Sequence, residues 1–235
     1  MCIRDRKYDD QFSYSQIGKG QRDIVWSYLS HHFSAAQNIL ELNCGTGEDA
    51  VFLASKSHKI LATDRSKEML QITKQKVHQN EYMDRVVTLP LDLSKPESLN
   101  LQMPVDLIFS NFGGLNCINP KALSNLAQYC FDWLTPNGQL VLVVMPRHTL
   151  LDRWYRIKHG QWSKIKNRRA GKDMVNVEGT QFETYYYNQA QLKEAFGQFK
   201  VVSTQVVGII PSYLCLLYTS PSPRDRTRSR MPSSA

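Results

Sequence analysis

Short apolar runs alternate with longer stretches in which apolar residues recur every three or four positions. Arg22 to Phe33 sets Ile24, Val25, Tyr28 and Leu29 at helical spacing and predicts a helix leading into a domain. Asn38-Ile-Leu-Glu-Leu-Asn43 reads as a strand entering a glycine-rich turn, and Ala50, Val51, Leu53 and Ala54 open the next helix. Lys59 to Asp64 predicts a second strand, followed by a helical stripe of Met69, Leu70, Thr73 and Val77. Two further strands are expected at Val86 to Leu93 and Val105 to Asn111. Leu123, Leu126, Ala127, Cys130 and Leu134 then form a helix face that Pro136-Asn137-Gly138 closes. Gln139 to Met145 is almost wholly apolar, as a parallel strand covered on both faces requires.

Strand and helix alternating in this way predict an α/β fold with a Rossmann-like, doubly wound, mostly parallel sheet. Its ligands lie beyond the carboxyl ends of the strands. The rhythm changes at Thr149. Leu151, Trp154 and Tyr155 suit a helix, Met174 to Tyr187 a hairpin turning near Glu178-Gly179, Ala190 to Phe199 a last helix and Val201 to Ile210 a last strand.

Candidate chemistry gathers at the first strand-to-helix turn, Glu41-Leu-Asn-Cys-Gly45-Thr46-Gly47-Glu48-Asp49-Ala50. Glycines there let backbone approach a ligand closely. Gly45-x-Gly47-x-x-Ala50 also satisfies a dinucleotide fingerprint, with Asp64 at the position of a ribose-binding acid. Three features favour a different ligand. A charge at Glu41, late in a buried strand, needs a partner, which a cationic sulfonium ligand with its ammonium group provides and a pyrophosphate does not. Asp92, ending the third strand, can accept from an adenine amino group. Ser110-Asn111-Phe112-Gly113-Gly114 sets an amide and permissive backbone after the fourth strand.

From about Tyr8 to Arg147 the chain resembles the class I S-adenosylmethionine-dependent methyltransferases that modify small metabolites. The resemblance implies that Glu41, Asn43, Gly45 and Gly47 form the loop around the methionine part of S-adenosylmethionine, and that Asp64 holds the ribose hydroxyls. Asp64-Arg-Ser-Lys-Glu-Met69-Leu70 matches a pattern of that group, with Met69 against the adenine. Asp92 and Leu93 fall at the adenine edge, and Asn111 after the fourth strand. Asn43 replaces the loop's usual first glycine, and Asn tolerates left-handed backbone. The group's seventh, antiparallel strand is not found, so the sheet is expected to lack it.

For the acceptor, His148 and Tyr186, within Tyr185-Tyr186-Tyr187, are the candidates for a general base, and the catalytic residues stay open. Arg153 to Lys172 interleaves basic residues with Trp154, Tyr155 and Trp162. It reads as part of a lid-like insertion over about 149–187 that draws in an anionic small-molecule acceptor, or as a solvated helix face. Nucleic-acid amino methylation is disfavoured, because no paired prolines follow Asn111. RNA methylation elsewhere on a base and an NAD(P)-dependent oxidoreductase are the alternatives.

The ends change the charge picture. Met1 to Arg6 and Cys215 to Ala235 resemble translated sequencing-adapter sequence and are expected to be a non-native leader and a disordered tail flanking a domain over 7–214. The chain carries 29 basic and 21 acidic residues, net +8. Without the two ends 23 basic residues face 19 acidic ones, net +4, too mild a balance to indicate nucleic acid by itself. Cys44, Cys117 and Cys130 have no metal-ligand or redox spacing, so no metal is expected and a reducing cytoplasm fits. No apolar run approaches the roughly 18–20 residues of a membrane span.

Overall fold

The computed structural model describes residues 15–147, 154, 157–160, 162–177, 180–207 and 213–219. The elements are α1 (Gln16–His32), β1 (Asn38–Glu41), α2 (Glu48–Ser55), β2 (Lys59–Asp64), α3 (Lys67–Gln79), β3 (Val86–Pro90), β4 (Val105–Ser110), α4 (Pro120–Trp133) and β5 (Leu134–Val144). They continue with α5 (Trp162–Ala170), β6 (Lys172–Val177), β7 (Thr180–Tyr185), α6 (Gln189–Ala195), β8 (Lys200–Val207) and β9 (Tyr213–Thr219). Seven strands form one sheet in the order β3-β2-β1-β4-β5-β9-β8, and β6 and β7 make a separate hairpin. β1 to β5 pair in parallel.

Local chemistry sets the helix starts. Ser66 accepts from Met69 N (3.2 Å) at the head of α3, and Asn119, followed by Pro120, accepts from Ala122 N (2.9 Å) at α4. Asn188 and Gln191 form a reciprocal capping box on α6. Gly47 begins α2 in the left-handed conformation (φ 82°).

Both faces of the sheet are buried, which explains the apolar runs. Leu40, Ile108, Leu140 and Leu142 pack with α4 and α6, while Ile39, Leu107, Phe109, Val141 and Val143 pack with residues of α1, α2 and α3. In α1 the buried face carries Val25 and Leu29, whereas Ile24 turns outward. α1 is tied to the far sheet edge by Tyr28 Oη and Ser203 Oγ, 2.6 Å apart.

The expectation of a missing antiparallel strand is corrected. β9 runs antiparallel between β5 and β8, pairing Leu140 with Tyr218 and Val144 with Leu214 on one side and Lys200 with Thr219 on the other. Cys215 to Thr219 therefore belongs to the sheet and not to a disordered tail. Tyr213-Leu-Cys-Leu-Leu-Tyr-Thr219 is rich in β-formers, and the Ser, Pro and Arg bias that hides it starts at Ser220. The strand expected over Val86 to Leu93 ends at Pro90, so Asp92 lies past the strand. The expected stop at Pro136-Asn137-Gly138 is a bulge within β5, between the pairs Val105–Leu134 and Leu107–Gln139, with Asn137 at φ 66°.

Candidate functional site

A cleft opens over the carboxyl ends of β1, β2 and β4. Its lining includes Asn43, Gly45, Asp64, Met69, Asp92, Leu93 and Asn111, with Arg22 and Asp49 on one side and Phe112, Gly113, Cys117 and Ile118 on another.

Asp64 shapes the glycine loop. Its two carboxylate oxygens accept from Gly45 N (3.0 Å) and Ser66 N (2.9 Å). Burial raises its pKa, and the backbone hydrogen bonds from Ser66 and Gly45 oppose that rise. Even with the Arg65 backbone also donating to it, the carboxylate has acceptor capacity for a further donor. The loop closes on α3, where Thr73 Oγ1 donates to Gly45 O (3.0 Å). A Cβ on Gly47 would lie 2.7 Å from Thr73 Cγ2, whereas one on Gly45 (φ 54°) would meet nothing within 4 Å. Gly47 is thus dictated by packing against α3 and by its φ, and Gly45 by its φ alone.

Glu41 lies beneath this loop and is 1% exposed, and neither carboxylate oxygen has a hydrogen-bond partner among the described residues. Burial pushes its pKa well above the usual carboxylate range, Asp49 and Asp64 push the same way, and Arg22 opposes them. Asp49 is itself buried and fully engaged. It accepts from Trp26 Nε1 (2.6 Å) and Asn111 Nδ2 (2.9 Å) and pairs with Arg22 Nε at 3.4 Å. Arg22 also lies over the Phe112 ring, 5.0 Å from its centroid.

Past β3, Asp92 accepts from Ser94 N (3.0 Å) and Ser94 Oγ (2.6 Å) and faces Arg65 at 3.4 Å. Burial raises its pKa, but the Ser94 hydrogen bonds together with Arg65 and Lys95 outweigh that and leave it lowered.

Residues 39–138 match the family model described as a methyltransferase domain. The matched stretch covers 100 of the chain's 235 residues. Likeness in fold extends beyond the matched residues: the PH0226 protein of Pyrococcus horikoshii OT3 superposes with a TM-score of 0.71 at 14% identity, covering 92% of this chain and 99% of that one. A Burkholderia thailandensis 1,6-didemethyltoxoflavin-N1-methyltransferase, with bound 1,6-didemethyltoxoflavin and S-adenosylhomocysteine, gives 0.67 at 16% identity, covering 92% and 84%. A probable protein arginine N-methyltransferase 6.1 of Oryza sativa subsp. indica is 26% identical over 149 residues, 59% of this chain and 38% of the rice protein. The chain spans about two fifths of the length of the curated relatives it matches.

The cleft brings together Asn43, Gly45, Asp64, Met69, Asp92, Leu93 and Asn111, while Glu41 and Gly47 stand behind its lining. Two of these do something other than expected. Asn43 is not among the residues with positive φ, so it does not replace glycine for its backbone. Its side chain donates to Asn111 O (2.6 Å) and accepts from Ser110 Oγ (2.5 Å). The Asn111 amide is held by Asp49 and by Phe112 N (2.9 Å), which makes it scaffolding for the wall.

Of the base candidates, His148 lies outside the described residues. Tyr186 is buried away from the cleft lining, its ring under Arg168 (4.7 Å) and its N–H donating to Gly171 O (2.8 Å). Arg168 is itself a buried structural group, donating to Pro146 O at 2.9 and 3.1 Å, not a free charge of a lid. Lys166 and Arg169 are exposed.

Sequence reading missed Arg22 and Asn116. Arg22 sits on the apolar stripe of α1, three residues before Val25, and a charge in such a stripe was the available signal. Asn116 is fully buried and ties the end of β7 to the end of β5, donating to Met145 O (3.1 Å) and Tyr185 O (2.5 Å) and accepting from Met145 N (2.8 Å). Those partners are 29 and 69 residues away, beyond the reach of any local pattern.

Proposed function

We propose that this chain is an S-adenosylmethionine-dependent methyltransferase acting on a small molecule. The observation that carries this reading is the charge around the glycine loop: Glu41 lies beneath it, Asp64 beside it, and Glu48 and Asp49 fill the first turn of α2. A dinucleotide pyrophosphate binds at just such a helix start, but here Glu48 and Asp49 occupy the turn, paired with Lys76 and Arg22, and the Glu41 carboxyl beneath has no partner among the described residues to offset it. A sulfonium with an adjacent ammonium is instead attracted.

In this reading Asp64 accepts from the ribose hydroxyls, Met69 and Leu93 enclose the adenine and Asp92 faces its edge. Bound S-adenosylmethionine supplies an electrophilic methyl group, which an acceptor nucleophile takes in line. The chain's contribution is to align the two and exclude water. The wall from Asn111 to Gly114 faces the acceptor side, and Asn116 holds the insertion against it.

The exposed Lys166 and Arg169 favour an anionic acceptor, and the absence of paired prolines after Asn111 disfavours nucleic-acid amino groups. No helix among the described residues is long and apolar enough to cross a membrane, and the free Cys44, Cys117 and Cys130 suit a reducing cytoplasm. Incubating the protein with methyl-labelled S-adenosylmethionine and fractionated cell extract tests the proposal. Label should enter the metabolite fraction and require Asp64. Label confined to protein or RNA would overturn the small-molecule assignment.

A further inference from the structure

Asn43 stands between the two loops that form the cleft. Its Nδ2 donates to Asn111 O at 2.6 Å and its Oδ1 accepts from Ser110 Oγ at 2.5 Å, tying the ends of the neighbouring strands β1 and β4. A Cβ built on Gly114 would lie 2.2 Å from Asn43 Cγ, so the Asn43 side chain occupies the space that a residue-114 side chain would need. Between these contacts the chain is held left-handed at Phe112 (φ 47°) and Gly113 (φ 74°). That conformation is costly for a bulky residue and persists where its surroundings enforce it. Asn43, Asn111, Phe112, Gly113 and Gly114 all line the cleft.

We infer that Asn43 is a positioning residue that locks the acceptor-side wall, Asn111 to Gly114, to the glycine loop, so that ordering of the loop by a bound cofactor is passed to the wall. This rests on the methyltransferase reading for the identity of the ligand, although the clamp itself does not. Residues 43 to 45 connect the wall contacts to the Gly45 N–H that Asp64 holds, so three consecutive residues join the two loops.

Amide hydrogen exchange on the full chain, with S-adenosylhomocysteine as the probe, tests this. In the unmodified protein the ligand should slow exchange over both 44–47 and 112–114. In Asn43→Gly, at saturating S-adenosylhomocysteine, the slowing over 44–47 should persist, while exchange over 112–114 becomes about tenfold faster and insensitive to ligand. A purely structural role would lower affinity and global stability together and keep the two segments in step, which would overturn the inference.

A second pair of variants guards against misfolding. Gly114→Ala alone should sharply lower the melting temperature, and combining it with Asn43→Gly should restore most of the loss. No restoration would also overturn the inference. If the unmodified protein fails to bind S-adenosylhomocysteine, the cofactor reading fails, and the clamp is judged by ligand-free exchange over 112–114 and by this pair.

Discussion

Replacing Glu41 with Gln removes an ionisable group that is buried behind the cleft lining. The side chain is 1% exposed and its oxygens have no partner among the described residues. Burial first, then Asp49 and Asp64, raise its pKa well above 4.5, the usual value, against the pull of Arg22. The folded protein therefore binds this proton more tightly than the unfolded chain. The associated stability is fully present below 4.5 and is lost as the pH climbs through the raised pKa. Each unit of rise removes about 1.4 kcal/mol once the pH exceeds both values. Glu41→Gln escapes that loss. Since 1 kcal/mol corresponds to about 2–4 °C for a chain of this length, its melting temperature should exceed the parent's by about 3 °C or more at pH 8, with the gap closing towards pH 4.5. Scanning calorimetry across this range measures the gap. The same variant should bind S-adenosylhomocysteine more weakly, because the ligand's ammonium loses the buried carboxylate: the variant gains stability and loses affinity. A gap that does not change with pH, or a variant less stable at pH 8, would refute the reasoning.

Three further outcomes are expected. Asp64→Ala should weaken S-adenosylhomocysteine binding at least about tenfold by isothermal titration, since each charge-assisted hydrogen bond contributes roughly 1.5–3 kcal/mol; unchanged affinity would remove Asp64 from the ribose site. Gly47→Ala should lower the melting temperature more than Gly45→Ala, because both need left-handed backbone but only the first drives a Cβ to 2.7 Å from Thr73. Arg168→Gln should destabilise by about 2 kcal/mol or more in denaturant unfolding, because it removes the guanidinium that bonds Pro146 O and covers the Tyr186 ring, whereas Lys166→Gln should stay within about 0.5 kcal/mol.

Much of the fold is legible in the sequence because its signals are local. A parallel strand buried on both faces must be apolar throughout, so β2, β4 and β5 announce themselves, and the stripe Met69, Leu70, Thr73, Val77 of α3 is the buried set observed. β9 escapes notice because its apolar run passes directly into the Ser, Pro and Arg residues that follow it. The glycine-loop side of the cleft is legible for the same reason as the strands, since Gly45, Asp64 and Met69 sit at fixed offsets from strand ends. Asn43 is placed correctly by the sequence pattern, but its role there is not the one expected. Its partners Ser110 and Asn111 lie 67 and 68 residues away, and the side chain's reach across to β4 is a tertiary fact. Arg168 similarly passes for a surface charge, since nothing in a basic run distinguishes the one guanidinium that folds inward onto a carbonyl and an aromatic ring.

The acid-lined glycine loop is expected to take a cationic adenosyl ligand and not a dinucleotide. Titrating the full chain with S-adenosylhomocysteine and, separately, with NAD in a calorimeter tests this most directly. The account predicts saturable binding of the first at one site per chain, lost in Asp64→Ala, and no binding heat from the second. Saturable NAD binding without a response to S-adenosylhomocysteine would contradict it.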